Sequence, residues 1–258
     1  MKRPLRTSLI FFGGLFAVGG ILMAAWTGLT LLSSHDVRDH RDFALSTGDL
    51  IIDSDNAGVT IEAGAPGTIS VDSKITHSIN GAEPSWSLTG NRLKLRLNCP
   101  GFFNVECDGS YRIKVPLDIP LEVTSDNGAI NASGLRQNMK LSTDNGHIDV
   151  TESTGNLQLS TDNGGITTSR VRADTITVDT DNGGVRLRLD TAPTKVKVTT
   201  DNGGVRVTVP GDENTYRVST KSGNGGIDNE LGTDPRANRS IEIRTDNGGI
   251  TLDRAAAH

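Results

Sequence analysis

The sequence predicts an all-β chain, a β-solenoid of the single-stranded β-helix type, preceded by one N-terminal transmembrane helix. Three observations carry that prediction. The tripeptide Asp-Asn-Gly recurs six times at nearly regular spacing. Apolar and polar residues alternate on both sides of each copy, the period-two signature of half-buried strands. An uncharged apolar run stands near the N-terminus.

That run is the first element. No residue from Thr7 to His35 is formally charged, and residues 8–32 read SLIFFGGLFAVGGILMAAWTGLTLL. This exceeds the roughly 20 apolar residues needed to cross a bilayer core. Lys2, Arg3 and Arg6 precede it and Asp36 opens an acidic region. The positive-inside rule therefore expects a single-pass membrane protein with a cytoplasmic N-terminus and residues 36–258 outside the cell. The alternative is a cleaved signal peptide, whose apolar region is typically about 7 to 15 residues long; both readings export the remainder. The expected organisation is a basic tip and anchor at 1–35, a linker at 36–44, diverged N-terminal coils at 45–118, regular repeats at 119–253 and a tail at 254–258.

All 31 acidic residues but only 23 of the 26 Lys and Arg lie beyond residue 35, which gives the exported part a formal charge of −8. Nucleic acid is therefore excluded as an expected partner. Cys99 and Cys107 bracket the segment PGFFNVE, and an oxidising exterior favours a disulfide between them. Of the six aromatic residues after the apolar run, only Tyr216 follows residue 118, so a wide globular core is not expected in the repeats.

The repeats themselves place their turns at Asn127-Gly128, Asn145-Gly146, Asn163-Gly164, Asn182-Gly183, Asn202-Gly203 and Asn247-Gly248, with degenerate copies at Asn56 and Asn224. From Asn127 onward the spacings are 18, 18, 19, 20, 22 and 23 residues. Leu157 and Leu159, Ile176 and Val178, Val196 and Val198, and Ile241 and Ile243 take equivalent inward positions. Asn-Gly between alternating strands is also a strong hairpin signal, through a type I′ turn with positive φ. An antiparallel meander is the competing architecture. Near-identical turns at this spacing, with few aromatics, favour a solenoid in which stacked coils close an aliphatic core together. The tail RAAAH offers no cap, so an open edge is expected at the last coil, near Leu252.

Three readings attach to the stacked corner. The structural one takes Asp as an acceptor for nearby N–H groups, and Asn and Gly as residues that adopt positive φ. The second makes Asp126, Asp144, Asp162, Asp181 and Asp201 a calcium ladder at about 4.8 Å intervals. The third is glycosidase-like catalysis by paired carboxylates, as in a polysaccharide-active β-helix enzyme. A repeated aspartate in a repeated setting does not separate an acid from a base, which weighs against it. The five histidines form no metal-ligand spacing. No cofactor and no enzymatic activity are expected. Arg186 and Arg206 hold matching positions in adjacent repeats, with Arg188, Lys195 and Lys197 close in sequence. They read either as a solvated face or as a basic ladder that grips an anionic cell-wall polymer.

The Asp-Asn-Gly ladder, the preceding YRIKVPLDIPLEV, and the later VTVPGDENTYRVSTKSGNGGI and IEIRTDNGGITL resemble the bacterial family of putative adhesins, a domain of unknown function. The resemblance covers about residues 45–253. It implies an exported β-solenoid with no established enzyme activity and no agreed ligand residues. The expected function is an envelope-anchored binding or scaffold module that meets a wall polymer or another envelope protein. The alternative is an envelope-stress regulatory ectodomain acting through a membrane partner at residues 8–32.

Overall fold

The computed structural model describes residues 35–45, 48–77, 83–98, 107–117 and 119–256. The expected membrane helix and Cys99 lie outside these residues, and of Cys107 only the backbone is described. Among the described residues no helix is long and apolar enough to cross a membrane.

The alternating segments form strands throughout. β1 (His35–Ala44), β2 (Leu50–Ser54), β3 (Gly58–Ala63), β4 (Thr68–His77), β5 (Glu83–Thr89), β6 (Arg92–Asn98) and β7 (Cys107–Val115) make up the N-terminal part. The repeats follow as strand pairs: β8 (Leu121–Ser125) with β9 (Ile130–Ser133), β10 (Met139–Thr143) with β11 (Ile148–Thr151), and β12 (Leu157–Thr161) with β13 (Ile166–Val171). Next come β14 (Thr175–Asn182) with β15 (Val185–Leu189), and β16 (Lys195–Asn202) with β17 (Val205–Val209). The last pairs are β18 (Arg217–Asn224) with β19 (Ile227–Asn229), and β20 (Ser240–Asn247) with β21 (Ile250–Arg254).

The two strands of each repeat belong to different sheets, one of 11 strands and one of 10, and each pairs in parallel with its counterpart in the next repeat. This is a β-solenoid-like stack, not a meander. The Asp-Asn-Gly turn is a corner between sheets, and the chain crosses back at a second corner. Inward residues of the 10-stranded sheet (Leu50, Leu121, Met139, Leu157, Ile176, Val196, Ile241) and of the 11-stranded sheet (Val59, Ile130, Ile148, Ile166, Val185, Val205, Ile250) stack in rows and fill the space between the sheets. Each is almost fully buried, worth about 1.5–3 kcal/mol of transfer free energy per side chain.

The corner chemistry differs from the expected turn. None of its Asn or Gly residues has positive φ; among the described residues the non-glycine positions with positive φ are Glu152 and Arg170. Glycine is required instead by close stacking. A Cβ at Gly164 would lie 1.9 Å from the Gly146 carbonyl oxygen, and one at Gly183 would lie 1.7 Å from that of Gly164. The asparagines form a ladder, each side-chain amide donating to the side-chain oxygen of the one before it. It runs through Asn56, Asn127, Asn145, Asn163, Asn182, Asn202, Asn247 and Asn224 at 2.7–3.1 Å. A hydroxyl precedes each turn, buried at all but the Asn224 corner, and Thr143, Thr161, Thr200 and Thr245 donate to the carbonyl oxygens of Gly128, Gly146, Gly183 and Gly203. Buried carbonyls that the sheet ladders leave open are thereby satisfied.

Chain order and stacking order differ at both ends. The β2–β3 coil lies between the coils β6–β7 and β8–β9, so the chain builds one layer outward before reversing. Residues 36–44, expected to be a linker, form most of β1, which pairs antiparallel with β4; β4 pairs antiparallel with β7, and β5 with β6. These strands extend both sheets past the first coils. At the other end β20–β21 inserts between β16–β17 and β18–β19. The open edge is therefore not the coil ending near Leu252 but β18–β19, where Ile227 is 47% exposed. Thr220 and Asn229 replace aliphatic residues at its inward positions, and the Thr233 hydroxyl accepts from the Val218 N–H at 3.0 Å, covering part of the edge.

Candidate binding surface

In the coils that share the Asn ladder the first corner is constant: nine residues separate the first inward position of one strand from that of the next, from Leu50 to Val59 through Ile241 to Ile250, whereas 20 separate the equivalent Leu93 and Ile113 of the β6–β7 coil. The second corner is not. The same separation is nine residues from Ile130 to Met139 and from Ile148 to Leu157, ten from Ile166 to Ile176, and eleven from Val185 to Val196. The residues that lengthen the repeat therefore accumulate opposite the Asn ladder, and variation in a repeat architecture marks the edge free to take on a binding role.

A groove of about 360 Å³ runs where the 10-stranded sheet leaves this second corner, lined by Ile51, Glu122, Asn138, Lys140, Gln158 and Thr177. It crosses the strands β2, β8, β10, β12 and β14, four coil steps or about 19 Å along the axis. Asn138 and Asn156 anchor its rim, their side-chain oxygens accepting the backbone N–H of Asn156 and Thr175 at 2.9 and 3.0 Å. Lys140 pairs with Glu122 at 2.9 Å across one step.

A second groove, of about 500 Å³, lies on the 11-stranded side of the same corner and is lined by Arg136, Glu152, Thr154, Arg170, Arg172 and Asp190. Glu152 and Arg170 occupy successive coils with φ of 51° and 54°, at the position where Gly134 has φ 69°. Their side chains form an ion pair. At Arg170 the register with β15 shifts between Thr168 and Val171, a bulge that absorbs the extra residue of the 19-residue repeat.

A third depression, of about 580 Å³, sits over β1, β4 and β7. There His40 Nδ1 is 2.7 Å from Asp72 Oδ1 and Nε2 is 3.4 Å from Asp42 Oδ1. The hydrogen bond to Asp72, aided by Asp42, raises the imidazole pKa, while the Ser70 hydroxyl donating to Asp42 at 2.6 Å lowers that carboxyl's pKa.

The residues singled out in the sequence distribute differently. Asp126, Asp144, Asp162, Asp181 and Asp201 are exposed, one per coil. Among the described residues no three His, Cys, Asp or Glu converge to hold a metal ion. The basic ladder is not one surface. Arg186 and Arg206 are in register on the 11-stranded sheet, with Arg188 beside them, while Lys195 and Lys197 lie on β16 of the 10-stranded sheet, across the core. Arg206 pairs with Asp253 at 3.1 Å rather than with the aspartates near it in sequence. The second-corner residues were not singled out; the lengthening spacing was the signal that located them.

Residues 104–214 match the model of the DUF7330 family, a domain of unknown function. The matched segment begins just before β7, runs past β17 and includes both second-corner grooves' central coils. Among solved structures, one described as a putative adhesin from Bacteroides fragilis NCTC 9343 aligns with TM-score 0.52 at 11% identity, covering 85% of this chain and 97% of that one. It establishes the shared fold. A putative cell adhesion protein from Clostridium sporogenes ATCC 15579 aligns with TM-score 0.39 at 12% identity over 86% and 100% of the two chains. A putative lipid binding protein from Parabacteroides distasonis ATCC 8503 aligns with TM-score 0.42 at 12% identity over 84% and 96%. No curated protein matches the chain significantly. The family match and the fold shared with the Bacteroides fragilis structure bear out the resemblance to an adhesin-like domain of unknown function.

Proposed function

We propose that the chain is a non-enzymatic binding module of a bacterial envelope, held at the membrane by residues 8–32, and that its second corner meets an extended polymer or an envelope protein. The observation that carries this reading is the groove crossing β2, β8, β10, β12 and β14. It runs along the solenoid axis, is lined by amide, hydroxyl and charged side chains over an apolar floor, and is held by backbone-anchored asparagines. Such a rigid track suits an extended chain of polar units, because the protein side loses little conformational entropy on binding. The names of the structural relatives point the same way. Co-sedimentation of the purified full-length protein with isolated cell walls tests the reading. Saturable retention, weakened by Lys140→Ala with Gln158→Ala, supports it; retention that does not saturate, or none, overturns it.

A further inference from the structure

The arginine groove on the other flank of the second corner has its own chemistry. Thr154 is bridged in parallel to Arg172, and its backbone N–H donates to the Leu135 carbonyl oxygen, so Arg136, Thr154 and Arg172 occupy one column on three successive coils. The two arginines are two coil steps apart, about 10 Å along the axis, with the short threonine between them. Long side chains flanking a short one make a notch, and a guanidinium on either wall presents planar N–H forks to whatever enters it. Both arginines are exposed, and among the described residues neither guanidinium has an ion-pair or hydrogen-bond partner. Arg170 also lines the groove and is ion-paired with Glu152, while Asp190 continues the column one coil step beyond Arg172. With three arginines against Glu152 and Asp190, the lining is net positive in a domain whose formal charge is −8.

The backbone supplies a second, independent argument. The corner demands a left-handed residue, and Gly134 meets that demand in one coil without strain. The next two coils place Glu152 and Arg170 there, although a side chain in that conformation costs on folding. Their exposed ion pair is too weakly stabilising to account for the choice. Strained residues of this kind gather where a side chain must be aimed.

We propose that the notch between Arg136 and Arg172 binds an oxyanion carried on a polymer, a sugar carboxylate or a phosphodiester, with the Thr154 hydroxyl as an additional donor and Arg170 held in place by Glu152. The proposal rests on the reading of the chain as a binding module and adds the charge of its ligand. Titration calorimetry of the full-length protein with oligogalacturonate and with glycerol phosphate oligomers distinguishes the two sources. Saturable binding of at least one is expected. It should weaken at least ten-fold in Arg136→Ala with Arg172→Ala and in Thr154→Phe, which fills the notch, and remain unchanged in Arg186→Ala with Arg206→Ala. Binding of neither polymer, or equal binding by the wild type and the Arg136→Ala, Arg172→Ala variant, overturns it. Co-sedimentation separates the two readings. Walls retained equally by that variant and the wild type remove the notch and leave the binding module, whereas oligomer binding lost in the variant without any wall retention does the reverse.

Discussion

At the scale of single residues, the repeated turn is a stacking device. Glycine is chosen there because a neighbouring carbonyl occupies the space of a Cβ. The two glycines of each Asn-Gly-Gly turn should then respond differently to the same change. Gly183→Ala must displace the Gly164 carbonyl and should lose about 2 kcal/mol or more. Gly184→Ala meets nothing nearer than 3.7 Å and should stay within about 0.5 kcal/mol of wild type by urea denaturation. The sequence displayed the glycines but not this reason, since positive φ and close approach select the same residue. It also hid the split of the basic residues, because Arg188 and Lys195 are neighbours in sequence while the corner between them puts them on opposite sheets. Replacing both Glu152 and Arg170 with Gly should leave stability unchanged or raise it by about 1 kcal/mol, as relief of left-handed strain offsets the exposed ion pair. Tyr216, 1% exposed with a hydroxyl that has no hydrogen-bond partner among the described residues, should gain about 1 kcal/mol on substitution by Phe.

At the scale of elements, the N-terminal strands carry the ionisable chemistry. His40 sits between Asp72 and Asp42 on neighbouring strands, and its folded pKa is raised. Its contribution to the β1–β4 pairing is therefore fully present below the unfolded value of about 6.5 and fades as pH rises through the higher folded value. The stability difference between wild type and His40→Asn should accordingly be larger at pH 5.5 than at pH 8.5. Tyr111, buried and donating to the Arg96 carbonyl oxygen at 3.0 Å, is pushed up to about 12 by burial. Stability should fall as pH climbs from about 10 towards that value, by on the order of 2 kcal/mol relative to Tyr111→Phe. The stacked coils were legible because their core rows impose strict alternation. β1 was not, since it extends the sheet past the core, is exposed on both faces from residue 38 to 42, and HDVRDHRDFA carries no apolar period.

At the scale of the whole molecule, the sequence repeats in one order and the coils stack in another. Spacing alone could not show this, because a coil of the right length docks equally well on either open side. The inserted coil β20–β21 has a consequence for how the fold is completed. From β8 to β17 each coil can settle on its predecessor as it emerges, but β18–β19 has no seat until the final residues arrive and slide beneath it. A protein cut after residue 239 should therefore lose protease protection across 217–229 as well, although those residues are still present. The lock closes from inside the stack, so a chain that stops short of its last coil is left recognisably incomplete.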